Sequence, residues 1–206
     1  MAKCFDVVGY IEPCNAIRPK YTGRALIITG ITSEGYFAEI EFNDNGLKVI
    51  SIWGEQDFTT LVSSKPVGGI ALPIVIDAQN PFGVTVQSNT DRGRLMYTKT
   101  IPVSIPATRD GKAEEFIIGL QKGMLYPSVI VLENLESEKE VGAPSEPCRN
   151  DIFGAYGSIY IDPASIARNE YENGGAWTFN LVCEEPVPNV ICTMKGLSET
   201  INTLNA

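Results

Sequence analysis

The sequence predicts a mainly β protein with a single helix packed on a sheet, and three observations predict it. Nineteen Gly and thirteen Pro are spread over 206 residues, which implies many turns and few long helices. Short runs of alternating polar and apolar residues recur between turn signals along most of the chain. In the stretch from Arg94 to Asn134, three periodicities follow one another. RLMYTKTIPVSIP alternates with period two and puts Tyr97, Lys99, Ile101, Val103 and Ile105 on one strand face. GKAEEFIIGLQKG has helical spacing, with Phe116, Ile117 and Leu120 as its apolar stripe. YPSVIVLEN is a β-branched apolar run, the pattern of a buried strand.

Taken in order, FDVVGYI reads as a strand ended by the Pro13–Cys14–Asn15 turn. ALIITGI and GYFAEIEF follow, separated by Thr32–Ser33–Glu34–Gly35, and in the second Phe37, Glu39 and Glu41 alternate with Tyr36, Ala38, Ile40 and Phe42. Asp44–Asn45–Gly46 is a tight-turn signal, because these residues tolerate positive φ. LKVISIW is the returning strand, and Phe58 to Val62 another short one. The segment from about 63 to 94 carries two apolar runs, IALPIVI and FGVTV, and reads as a long hairpin arm whose prolines suit edge strands. The central helix is expected over about residues 111–122, starting after Asp110 and stopped by Gly123 in the left-handed region. Its interior Gly119 costs about 1 kcal/mol relative to Ala, so packing must hold it.

Beyond the helix, Leu135 to Asn150 is charged and proline-bearing and reads as a solvated loop. FGAYGSIYI is expected as one strand. Asp162–Pro163 then caps a short helical turn in PASIARNEY. Glu172–Asn173–Gly174–Gly175 turns the chain into AWTFNLVCEEP, with Trp177, Phe179 and Leu181 on one face. GLSETINTLNA ends the chain as one weak helical turn or a loose tail.

Composition bounds the function. Hydrophobic residues make up 44% and charged residues 20%, which describes one globular domain, 1–206, large enough to bury a core without metals or disulfides. A formal net charge of −9 argues against gripping nucleic-acid phosphates, whose affinity comes from Lys and Arg. No secretory leader and no apolar run near the ~20 residues of a membrane span is read, so a soluble protein made without export is expected. Cys4, Cys14, Cys148, Cys183 and Cys192 are odd in number and lack CxxC spacing. Reduced thiols are the reading, with a Cys4–Cys14 or Cys183–Cys192 bridge as the alternative.

Histidine is absent altogether, which removes Ser-His-Asp and Cys-His nucleophiles and His-ligated metals. No Gly-rich phosphate loop appears. The carboxylate pairs Glu39/Glu41, Glu114/Glu115 and Glu184/Glu185 are sequence neighbours, and a hydrolase needs acids across a cleft. Glu39 and Glu41 read as a face turned to solvent or to an aqueous channel. Arg18, Lys20 and Arg24 read as a solvated basic cluster. Trp53 and Trp177 read as core or subunit-contact aromatics, with ligand stacking as the alternative. No catalytic, metal or cofactor site is expected.

The order of segments resembles that of tail tube-type structural proteins of bacteriophages, particularly those infecting Bacteroidetes. MAKCFDVVGYIEPCN, RLMYTKTIPVSIP, AEEFIIGLQKG, YPSVIVLEN and ENGGAWTFNLVCEEPVPNVI carry the resemblance, which is one of arrangement over about half the chain. The segments 63–94 and 135–150 differ from it, which leaves tube subunit, ring, adaptor and terminator all open. The resemblance implies a β-sandwich or barrel of tail tube type, and a virion subunit assembled in the host cytoplasm into homo-oligomeric rings, usually hexameric. Neighbouring tail or portal proteins would be its partners, with no cofactor and no membrane. DNA would pass through an acidic lumen without specific binding, since like charge disfavours capture. On that reading Glu39, Glu41 and Lys48 are candidate channel-lining residues. Ile70, Leu72, Ile74, Phe82 and Val84 are candidate subunit-interface residues, because an apolar arm exposed in the monomer marks an interaction surface. A capsid decoration or head-fibre protein and a carbohydrate-binding β-sandwich are the alternatives.

Overall fold

A computed structural model of the protein describes residues 21–29, 39–42, 48–51, 70–75, 84–91, 93–107, 110–125, 128–134, 150–156, 158–169, 175–186, 190–192 and 196–204. The expected strands FDVVGYI and Phe58–Val62, the loop 135–149, Phe82 and Trp53 lie outside them. The described chain is mainly β, in two sheets. One holds seven strands in the order β2 (Glu39–Phe42), β3 (Lys48–Ser51), β12 (Ile191–Cys192), β8 (Asn150–Phe153), β7 (Val129–Asn134), β1 (Tyr21–Thr29) and β4 (Ile70–Val75). The other runs β10 (Ala167–Asn169), β11 (Ala176–Glu185), β6 (Arg94–Pro106) and β5 (Thr85–Asp91), with β9 (Tyr160–Ile161) also paired to β11. Every pairing is antiparallel except that of β12 with β3.

The core lies where the two sheets and helix α1 (Lys112–Gly123) meet. Ala25 and Ile27 of β1, Ile130 and Leu132 of β7, and Phe153 join Ile101, Val103, Ile105, Phe179, Leu181 and Cys183 in it. The period-two face read from RLMYTKTIPVSIP is therefore the inward face of β6. From α1 come Ala113, Ile117 and Leu120, with Phe116 partly buried against them. The positions between these residues are buried too. Leu26, Ile28, Val129, Val131 and Ile152 are removed from solvent, as are Leu197 and Ile201 of helix α2 (Leu197–Leu204), which lies against β1 and β4. A strand buried on both faces gains nothing from alternation, so β1 and β7 read as the unbroken runs ALII and VIVL. Fully burying each such side chain contributes about 1.5–3 kcal/mol.

Several expectations are corrected. Among the described residues there are two helices instead of one: the C-terminal segment makes two turns because Leu197, Thr200 and Ile201 find a buried face, and packing stabilises a helix too short to hold by propensity. Gly123 is not a left-handed stop. The left-handed residue is Gly111 at the start of α1 (φ 76°), and Met124 closes the other end through its N–H to the Leu120 carbonyl (2.9 Å). Asp162–Pro163 does cap a helical turn, with the Ala164 N–H donating to Asp162 Oδ1 (3.0 Å), but the turn is 3-10 and covers only Pro163–Ser165, and Ala167–Asn169 is strand β10. FGAYGSIYI is not one strand, because Gly154 (φ 88°) turns the chain from β8 in the larger sheet towards β9 in the smaller. The segment 63–94 is likewise shared between the sheets: β4 pairs with β1, whereas β5 forms its hairpin with β6.

The exposed Gly119 has open space where a Cβ would stand. Gly119→Ala is expected to stabilise the protein by about 0.5–1 kcal/mol, read as a higher urea midpoint with an unchanged slope.

Candidate assembly surface

Among the described residues, β2, β4, β10 and β5 stand at the ends of the two strand orders, and the first three carry features that discourage further pairing. β4 contains Pro73, which lacks an N–H. β2 is four residues long and contains Glu39 and Glu41, and β10 is three residues long. Short length, charge and proline are the usual protections of an open edge. β5 has none of them. Its sequence TVQSNTD is uncharged until Asp91, free of proline, and pairs with β6 without interruption over seven positions from Thr85↔Thr100 to Asp91↔Arg94. Among the described residues it has no strand on its other side.

The hairpin also stands clear of the core. Thr85 to Thr90 are all exposed, so neither face of β5 is covered, and Val86 and Leu95 leave 45% and 55% of their surface in solvent. The arm is held by backbone pairing and by side-chain bonds such as Asn89 Nδ2 donating to Thr98 Oγ1 (2.6 Å). Gly93 (φ 79°) makes the tight connection. Tyr97 to Thr100 also pair with β11, so only the tip, Asn89–Asp91 with Arg94–Met96, is two-stranded and marginal in water; a partner strand on β5 would support it. The apolar content of the arm did not reveal this edge, because apart from Val86 the exposed residues of β5 are Thr, Gln, Ser and Asn.

The residues expected to face a channel or a neighbour are spread over the larger sheet. Glu39 and Glu41 lie in β2 and Lys48 in β3, where Lys48 is the cross-strand partner of Phe42 and not of either glutamate. Ile70, Leu72 and Ile74 lie in β4 at the opposite edge, paired with Thr29, Ile27 and Ala25. Val84 is half-buried and packs on the core of its own subunit.

Other polar groups serve the fold. Arg24 is in β1 and not in a solvated loop: it donates to the Ser198 carbonyl (3.1 Å) and Asn202 Oδ1 (2.8 Å), and its Nε lies 3.6 Å from Glu133. Ser198 also donates to Glu133. These contacts pin α2 to the sheet. Trp177 donates its Nε1–H to Glu114 (3.1 Å), and Arg168 sits 5.9 Å from its ring centroid. Of the adjacent acids Glu184 and Glu185, the first is exposed and the second is wholly buried against Lys99.

Cys183 is a free, buried thiol, so a Cys183–Cys192 bridge is not formed. Burial, then the nearby Glu185 carboxylate, pushes its pKa up from 9.0 to about 12. Burial and the hydrogen bond to Asp151 (2.6 Å) likewise hold the Tyr21 phenol protonated. Both shifts are upward, so unfolding releases protons above the ordinary values. Stability is expected to stay level up to about pH 9, and to fall as pH rises through 9.0 towards about 12. Urea midpoints measured against pH test this; a midpoint flat throughout that range would contradict it.

No group of three or more Cys, Asp or Glu able to hold a metal occurs among the described residues, and no described helix is long and apolar enough to cross a membrane. Compared with known proteins, the chain matches no family model, no curated protein and no solved structure.

Proposed function

We propose that this chain is a non-catalytic structural subunit that assembles with copies of itself into rings in a phage tail or connector, through which DNA passes. The observation that carries the assembly half of this reading is the unprotected edge of β5. An edge on one subunit that meets a different surface of the next makes a head-to-tail contact, and such contacts form rings where the rotation closes. The phage half rests on the order of strand, helix, buried strand and aromatic strand. The net charge of −9 suits a lumen that repels DNA instead of trapping it, with Glu39, Glu41 and Lys48 as the lining. Ile70, Leu72, Ile74, Phe82 and Val84 belong to the neighbouring contact on this reading.

Negative-stain microscopy with light scattering is the test. Rings or tubes with a central hole are expected, and the double variant Val86→Lys/Ser88→Lys is expected to remain monomeric. Both positions are exposed, so the fold should survive within about 0.5 kcal/mol, while repeated like charge on the edge opposes strand addition. The reading fails if the parent chain is monomeric alone and in virions, or if the lysines leave assembly unchanged.

A further inference from the structure

Lys99 is buried, and Glu185 is buried with it, neither side chain retaining any exposure. Lys99 Nζ is in direct contact with Glu185 Oε2. The two residues sit on adjacent antiparallel strands: Lys99 of β6 is opposite Cys183, and Glu185 of β11 is opposite Tyr97. They are therefore diagonal neighbours on the inward face. The Phe153 ring centroid lies 5.3 Å from Nζ. The second carboxylate oxygen, Oε1, accepts the backbone N–H of Tyr156 (3.2 Å).

We propose that Lys99 and Glu185 condense into an intramolecular isopeptide bond that joins β6 to β11. A proton passes from Nζ to Oε2 along their contact, leaving an amine beside a carboxylic acid. The Nζ lone pair attacks Cδ and forms the new N–C bond. Oε1 carries the developing negative charge, and the Tyr156 N–H is placed to stabilise it, as an oxyanion-hole donor does. The Cδ–Oε2 bond then breaks. Oε2 leaves as water with the transferred proton and a second proton from nitrogen, so an ammonium and a carboxylate become one amide and one water. No oxidant, metal or cofactor enters.

Two features drive the reaction forwards. Folding holds nucleophile and electrophile together, which replaces a bimolecular encounter by a positioned one. The product carries no charge, so condensation removes two ions from a medium where each is costly. Both side chains are wholly buried, with the Phe153 ring beside Nζ, which keeps water from returning to hydrolyse the amide. The bond would restrain the unfolded chain between residues 99 and 185 as a disulfide does, without an oxidising compartment.

Intact mass of the full chain, denatured and reduced, tests the proposal. The expected mass is that of the sequence less one water. Trypsin should fail to cut after Lys99, and the digest should contain Leu95–Arg109 joined to Asn169–Lys195. Lys99→Arg should restore the full mass, and this is readable even from insoluble protein. A parent chain at full sequence mass with normal cleavage after Lys99 overturns the proposal. So does a water loss that maps to Asp110–Gly111, where succinimide formation also expels water.

Discussion

Lys99→Met is expected to destabilise the protein by about 3–5 kcal/mol, the cost of leaving one member of a buried pair without its partner. The methionine fills much of the lysine's volume but gives nothing to the carboxylate of Glu185. That carboxylate would keep the Tyr156 N–H (3.2 Å) and stand without a counter-charge in a site without solvent. Against a total stability of about 5–15 kcal/mol for an ordinary domain, the loss is large. It should lower the melting temperature by roughly 2–4 °C for each kcal/mol. Glu185→Met should cost a similar amount by stranding the ammonium. The double variant should recover part of the loss, because a well-packed apolar pair is often no worse than a buried ionic one. Recovery should stay incomplete, since the double variant also lacks the proposed bond between β6 and β11. A melting temperature unchanged in either single variant would show that the pair is not energetically coupled to the fold.

Lys99 also shows how far the sequence can be read. Its position on the inward face was legible, because Tyr97, Ile101, Val103 and Ile105 share its parity. Its partner was not, since Glu185 lies 86 residues away and its neighbour Glu184 offers the same chemistry. The helix over 112–123 and the buried strand β7 were legible for a similar reason: each has a period or a run long enough to be counted. α2 was legible only as one weak turn or a loose tail, because LSETINTL is eight residues long and owes its helix to a face supplied by β1 and β4. The division of 63–94 between two sheets left no local mark either. IALPIV and TVQSNTD both have strand character, and which sheet each joins is decided by long-range pairing. The assembly edge follows the same logic. An edge is a property of strand order, and TVQSNTD stands out only once β5 is known to be terminal and its neighbours are known to be protected.

Gly154→Ala is expected to cost about 2–5 kcal/mol, from left-handed backbone strain of roughly 1–2 kcal/mol and overpacking of roughly 1–3 kcal/mol. The added Cβ would stand 2.7 Å from the Ser128 carbonyl oxygen, 2.9 Å from Ile159 Cγ2 and 3.0 Å from the Ile159 nitrogen. Two of these three atoms are backbone, and they are bonded to each other: the Ile159 N–H donates to the Ser128 carbonyl (3.0 Å). Relief of the clash must therefore open that hydrogen bond, which leaves a buried strand end short of a partner. Ser128 leads directly into β7, and Ile159 leads into β9, so the strain enters both sheets at the point where the chain passes between them. Gly93→Ala is the control. Gly93 has nearly the same backbone conformation (φ 79°) but open space where its Cβ would stand, so only the backbone strain of about 1–2 kcal/mol should be felt there. The difference between the two variants in urea denaturation isolates the packing cost at the crossover. Equal midpoints for the two would mean that Gly154 is required for its dihedral angle alone, and that the contact between Ser128 and Ile159 yields without loss.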